Sequence, residues 1–188
     1  LWILNTALRH TADFSAAGID IGVSVNLAPK MLEDKELPQI VQQSLEMWGV
    51  PASTLTLEIT ESSMIKDLNS SLAMLSRLRE LGVRLSIDDF GTGYSSLAYL
   101  KHFPVHELKI DMLFISNMIK SRGDKQLVRA IIDLAHDFEL STVAEGVEDQ
   151  ETFDLLRDFG CDISQGFLLS RALPDTDFIN WYRQHAGK

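Results

Sequence analysis

The residues able to do chemistry recur at intervals along the chain: Asn26, Glu58, the pair Asp88–Asp89, Lys109 with Asp111, Glu145 and Gln165. Most are carboxylates. Gathered in one place, they would repel one another and raise each other's pKa values unless a cation sat among them. An all-oxygen set without His or Cys selects hard divalent ions, Mg²⁺ or Mn²⁺ ahead of Zn²⁺. Two such ions form the arrangement that clamps the attacking and leaving oxygens in phosphoester hydrolysis. Lys109 would add a positive charge where a phosphoryl oxygen gains negative charge. Taken singly, each residue has a plainer reading. Glu58 could be a solvated rim residue, Asp88–Asp89 a turn cap before Gly91, Lys109 a snorkelling side chain, and Asn26 an Asx turn. What the residues share is their position.

That position is the end of a strand. Short runs rich in β-branched residues cover Ile21–Asn26, Leu55–Thr60, Val83–Asp88, Glu107–Ile110, Ser141–Glu145 and Asp162–Gln165. Between them lie stretches of helical period: Leu37, Ile40, Val41, Leu45 and Trp48, then Leu68, Leu72, Leu75, Leu78 and Leu81. A third stripe joins Leu127, Ile131, Leu134, Ala135 and Phe138, and a fourth Phe153, Leu155, Leu156 and Phe159. Gly49, Gly82 and Gly160 follow helix ends, where a left-handed cap suits glycine. Strands alternating with helices predict βαβ units and a parallel sheet. Two closures fit, a doubly wound sheet or part of a (β/α)8 barrel. A doubly wound sheet gathers its ligand groups at one switch point, whereas a barrel collects them from nearly every strand end. The pattern here predicts the barrel. A whole barrel takes about 250 residues, so this chain holds about six strand–helix units and lacks the first strands.

The chain has 188 residues, 45% of them hydrophobic, and a formal net charge of -10. That is material for one domain with a sizeable core, and the charge argues against binding nucleic acid polymers through their phosphates. The single cysteine, Cys161, makes a reducing compartment the default. No run is long and apolar enough to span a membrane, so no membrane contact is expected of this segment. Gly91-Thr92-Gly93 lacks the surroundings of a phosphate-binding loop; with Phe90 it reads as a loop beside the acidic pair. His102 and His106 stand four apart, but Pro104 between them breaks any helix that would align them as ligands.

Several motifs resemble a known family. Val23-Ser24-Val25-Asn26-Leu27, Leu57-Glu58-Ile59-Thr60-Glu61-Ser62, Ile87–Leu97 with its Asp88-Asp89-Phe90-Gly91-Thr92-Gly93 core, Leu108-Lys109-Ile110-Asp111, Val143–Glu148 and Gln165-Gly166-Phe167 are similar to blocks of the EAL domain of bacterial signalling proteins, and stand in its order. The resemblance implies a (β/α)8 barrel that hydrolyses cyclic di-GMP to the linear dinucleotide with Mg²⁺ or Mn²⁺, in the cytoplasm. It implies that Asn26, Glu58, Asp88 and Glu145 bind metal, that Asp89 completes a second metal site, and that Lys109 contacts the nucleophilic water. Glu145 also lies where that water is activated, so Glu145, Lys109 and Asp89 form the implied catalytic set. Gln165 matches a glutamine near metal and ligand, Glu61 a glutamate that steadies the loop after the acidic pair, and Glu148 a supporting partner. Asp111 is expected to support the lysine strand rather than bind metal, and the helix after Lys109, Leu113–Ile119, to offer a homodimer contact. The family's signature Glu-x-Leu strand is absent; Leu1–Ala17 matches the helix that follows it. The resemblance therefore implies an EAL domain incomplete at its N-terminus. The alternative is a cyclic di-GMP receptor that no longer turns its ligand over.

Overall fold

The computed structural model describes residues 1–65, 68–92 and 100–185; Gly93, named above with the loop, lies outside the described residues. Helix α1 (Trp2–Ala16) leads to β1 (Val23–Asn26), α2 (Leu37–Trp48) and β2 (Leu55–Thr60). Then come α3 (Glu61–Ile65), α4 (Leu68–Glu80), β3 (Arg84–Phe90), β4 (Glu107–Ile110) and α5 (Met112–Ile115). The order ends with α6 (Arg122–Asp137), β5 (Ser141–Glu145), α7 (Gln150–Asp158), β6 (Ile163–Gln165) and α8 (Asp175–His185).

All neighbouring strands are parallel, and the sheet runs in chain order from β1 to β6. A doubly wound sheet reverses its order at a switch point; this one never does. Crossovers between parallel strands are right-handed, so an unreversed order puts the helices on one face and curls the sheet. The result is a half-barrel of the TIM type. Among the described residues, β1 and β6 each pair on one side only, and the sheet is open between them.

Alternation along each strand then separates two faces. Leu55, Leu57 and Ile59 of β2, Leu85 and Ile87 of β3, and Leu108 and Ile110 of β4 are almost wholly buried and form the core with the helices. Each such side chain is worth about 1.5–3 kcal/mol relative to exposure. The opposite parity carries the polar set. Asn26, Glu58 and Ser86 share one row of the ladder, Thr60 and Asp88 the next, and Glu145 faces Gln165. The concave face is therefore the polar one.

The helices follow from their stripes and caps. On α2, Leu37, Val41 and Leu45 are buried, and Gly49 ends the helix in the left-handed region, φ 63°. Asp149 caps α7 by accepting from Thr152 N at 2.8 Å. On α6 the stripe is turned from the expected one. Leu127 is 40% exposed, while Val128, Ile131, Ile132 and Ala135 are buried, because the β-branched pair Val128 and Ile132 meets the sheet instead. Phe90, expected in the loop, is placed differently. It is the last residue of β3 and lies in the core opposite Ile110, not in the loop.

Candidate active site

β3 carries the decisive irregularity. Ile87 pairs with Leu108 and Phe90 with Ile110, so three steps on β3 match two on β4. That is a β-bulge at Asp88–Asp89, and Asp89 takes φ 56°. In a regular strand two consecutive side chains point to opposite faces. The bulge and the left-handed Asp89 let both carboxylates reach one point, and Asp is among the few residues that enter this region at modest cost. Carboxylate oxygens of Asp88, Asp89 and Glu145 come within 4.8 Å of one another. The turn that follows is tied down by Thr92, whose Oγ1 donates to Asp89 O at 2.9 Å.

Lys109 sits beneath this group, 4% exposed. Its Nζ lies 2.7 Å from Glu145, 2.9 Å from Glu58 and 3.1 Å from Asp88. One ammonium thus spans carboxylates from β2, β3 and β5. Burial alone would lower its pKa, but hydrogen bonds to Glu145 and Glu58 outweigh it and hold the lysine charged, above its ordinary value. Glu145 is pushed up, first by burial and then by the charges of Asp88 and Glu58, with Lys109 opposing. Asp89 is raised by burial, by Asp88, and by a neighbouring carboxylate, Asp111.

The other expected residues fall at different distances from this centre. Asn26 is exposed and stands opposite Glu58 in the ladder. Gln165 is exposed and opposite Glu145. Glu61 is buried; its Oε2 accepts from Gly91 N at 3.3 Å, while its Oε1 has no partner among the described residues. Glu148 is exposed, after β5. Asp111 caps α5 by accepting from Leu113 N at 2.6 Å. Its charge acts on Asp89, so it belongs to the acidic group as much as to the lysine strand. Ser86 and Glu107, not among the expected site residues, are both buried and paired in register. The available signal was parity: each stands two residues before a member of the cluster, hence on the same face.

The donor set can hold a cation. Glu58, Asp88, Asp89 and Glu145 oppose a single ammonium, Lys109, so carboxylates outnumber cationic side chains in this group. The donors are hard oxygens, with no imidazole or thiolate among them, which suits a divalent ion of the magnesium or manganese type.

The EAL domain family matches residues 1–172. The chain belongs to the EAL domain family. The signaling protein YkoW of Bacillus subtilis (strain 168) is 41% identical over 177 residues, 94% of this chain and 22% of that protein. Cyclic di-GMP phosphodiesterase NbdA of Pseudomonas aeruginosa is 41% identical over 190 residues, 99% of this chain and 24% of that protein. The chain thus spans less than a quarter of the length of these curated relatives. Among solved structures, the PaMucR phosphodiesterase in complex with c-di-GMP superposes with a TM-score of 0.90 at 40% identity, covering 94% of this chain and 72% of that one. The EAL domain of Mycobacterium smegmatis DcpA gives 0.93 at 37% identity, covering 97% and 83%. The half-barrel read from the strand order thus matches a large part of the TIM-like barrel of these EAL domains.

Proposed function

We propose that this EAL domain hydrolyses cyclic di-GMP to linear pGpG in a metal-dependent reaction. The convergence of Asp88, Asp89 and Glu145 over Lys109 carries the reading, and relatives named for this phosphodiesterase activity and for the ligand support it. Asp88, Asp89, Glu145, Glu58 and Asn26 would hold Mg²⁺ or Mn²⁺. Bound there, such ions would supply Lewis acidity at the phosphodiester. Lys109 orders the carboxylates and faces the attacking water with a fixed positive charge. Glu145, whose pKa burial raises, stands where a proton from that water is taken up. Water oxygen bonds to phosphorus, and the P–O3′ bond breaks.

The domain is completed, in this reading, by an upstream segment bearing the Glu-x-Leu strand, which closes the sheet between β6 and β1. Both open strand edges and the 72–83% coverage of solved relatives support that. Gln165 and Glu148 approach the ligand from the rim, and Glu61 with Thr92 steadies the loop. The protein works in a bacterial cytoplasm. No helix among the described residues is long and apolar enough to cross a membrane.

The test is conversion of cyclic di-GMP by the protein with its upstream sequence and Mn²⁺, followed by separation of pGpG, alongside Asp88→Asn. Turnover by the parent and loss in the variant is the expected result. Binding without turnover would assign the domain as a receptor instead. Absence of both would overturn the two readings together.

A further inference from the structure

The loop after β5 is gripped from two sides at positions that carry no side chain. Gly146, directly after Glu145, has φ 71°, and a Cβ built there would stand 2.6 Å from Met112 Cβ and 3.5 Å from Met112 Cα. Gly166, directly after Gln165, would place a Cβ 2.2 Å from Val147 O and 2.3 Å from Val147 N. Even close carbon–oxygen contacts stay at about 3.3 Å or more, so only glycine lets these backbones meet. Two hydrogen bonds fix the approach: Val147 N donates to Gln165 O, and Leu168 N donates to Val147 O, both at 3.0 Å. Val147 is wholly buried and cannot retreat. Glu145 stands two residues before Val147, with its carboxylate 2.7 Å from Lys109 Nζ.

We propose that Gly146 and Gly166 are positioning residues for Glu145. One lets the loop rest on α5 and the other lets it rest on the segment after β6, and together they set the carboxylate's distance from Asp88 and Asp89. A methyl at either glycine drives the β5 loop off its seat and carries Glu145 with it. The proposal rests on the reading of Glu145 as a metal ligand, and it makes no use of the hydrolytic step.

Mn²⁺ titration calorimetry without substrate, on the protein with its upstream sequence, reads the effect directly. Gly146→Ala and Gly166→Ala should each weaken Mn²⁺ binding by about 10–100-fold, the range seen when support behind a metal ligand is lost. Gly49→Ala is the control for backbone strain: it has φ 63° but nothing within 4 Å of its added Cβ, and should bind Mn²⁺ as the parent does. Met112→Gly removes the atom that Gly146→Ala strikes and should restore affinity to that variant, which keeps the test decisive even where Gly166→Ala fails to fold. Unchanged affinity in Gly146→Ala, equal loss in Gly49→Ala, no recovery with Met112→Gly, or a parent that binds no Mn²⁺ would each overturn the proposal. A parent that binds Mn²⁺, shows the glycine effects and hydrolyses no cyclic di-GMP would support it and overturn the phosphodiesterase reading alone.

Discussion

Lys109→Met should uncouple stability from metal affinity. The ammonium is 4% exposed and lies 2.7 to 3.1 Å from three carboxylates. Its loss leaves Glu58, Asp88 and Glu145 facing one another without a countercharge. Breaking a buried ion pair by removing one partner costs about 3–5 kcal/mol; here three carboxylates lose their countercharge while Asp88 keeps its hydrogen bond from Asp89 N, and that range is expected. For a chain of this size that corresponds to a melting temperature lower by about 6–20 °C. Metal reverses the sign of the comparison. In the parent, Lys109 competes with any cation entering the cup; in the variant, the cup has lost its resident charge. Denaturant unfolding with EDTA and then with Mn²⁺ should show the variant destabilised without metal and stabilised more than the parent by metal. At a Mn²⁺ concentration 100 times its Kd the parent gains about 2.7 kcal/mol; the variant should exceed this while losing hydrolysis. A metal-free loss below about 1 kcal/mol, or a metal gain no larger than the parent's, would refute the placement of Lys109 as the cup's internal cation.

Other consequences are open to simple measurements. His106 accepts a hydrogen bond from Leu85 N on Nδ1 at 3.1 Å, and burial followed by the charges of Arg79 and Arg84 lowers its pKa from the ordinary 6.5. The unfolded chain therefore binds the extra proton first. Stability should be full above pH 6.5 and fall as the pH drops through and below it, a slope that His106→Gln should flatten in urea titrations. Asp162 receives Thr142 N and Thr142 Oγ1, each at 2.8 Å, and stands 2.9 Å from His136 Nε2. Asp162→Ala should cost about 1–2 kcal/mol in thermal unfolding, leaving Mn²⁺ binding unchanged because the residue lies at the opposite ends of β5 and β6. Leu75→Ala, at a fully buried position on α4, should cost about 2–5 kcal/mol in the same assay.

Much of this was legible in the sequence because parallel strands of a barrel announce themselves twice. The alternation of strand and helix predicts the sheet, and the recurrence of Asn26, Glu58, Asp88, Lys109, Glu145 and Gln165 at strand ends predicts a common rim. Registers such as Asn26 with Glu58 and Glu145 with Gln165 follow once those strands pair. The bulge was not legible. Two adjacent aspartates in a regular strand would diverge, and only the extra residue against β4 with Asp89 at φ 56° brings them together. Nor did the spacing reveal that Lys109 bridges three carboxylates, since that depends on side chains from three strands meeting at one depth. On α6 the period was right but the phase was not: apolar residues on both flanks of the stripe left Leu127 and Val128 to be decided by packing against the sheet.

The strand order also dictates how such a molecule can assemble. Every ladder joins a strand to the next one in the chain, so each closes over a single crossover and none has to wait for a partner further along the chain. Growth can begin at any neighbouring pair and spread outward, as in a repeat protein, with modest entropy lost at each step. The acidic cup behaves differently. Its carboxylates around Lys109 come from β2, β3 and β5, and Lys109 itself from β4, so it exists only once all four strands are in place. A bound cation would therefore act late, as a latch across four consecutive strands, slowing unfolding far more than it speeds folding.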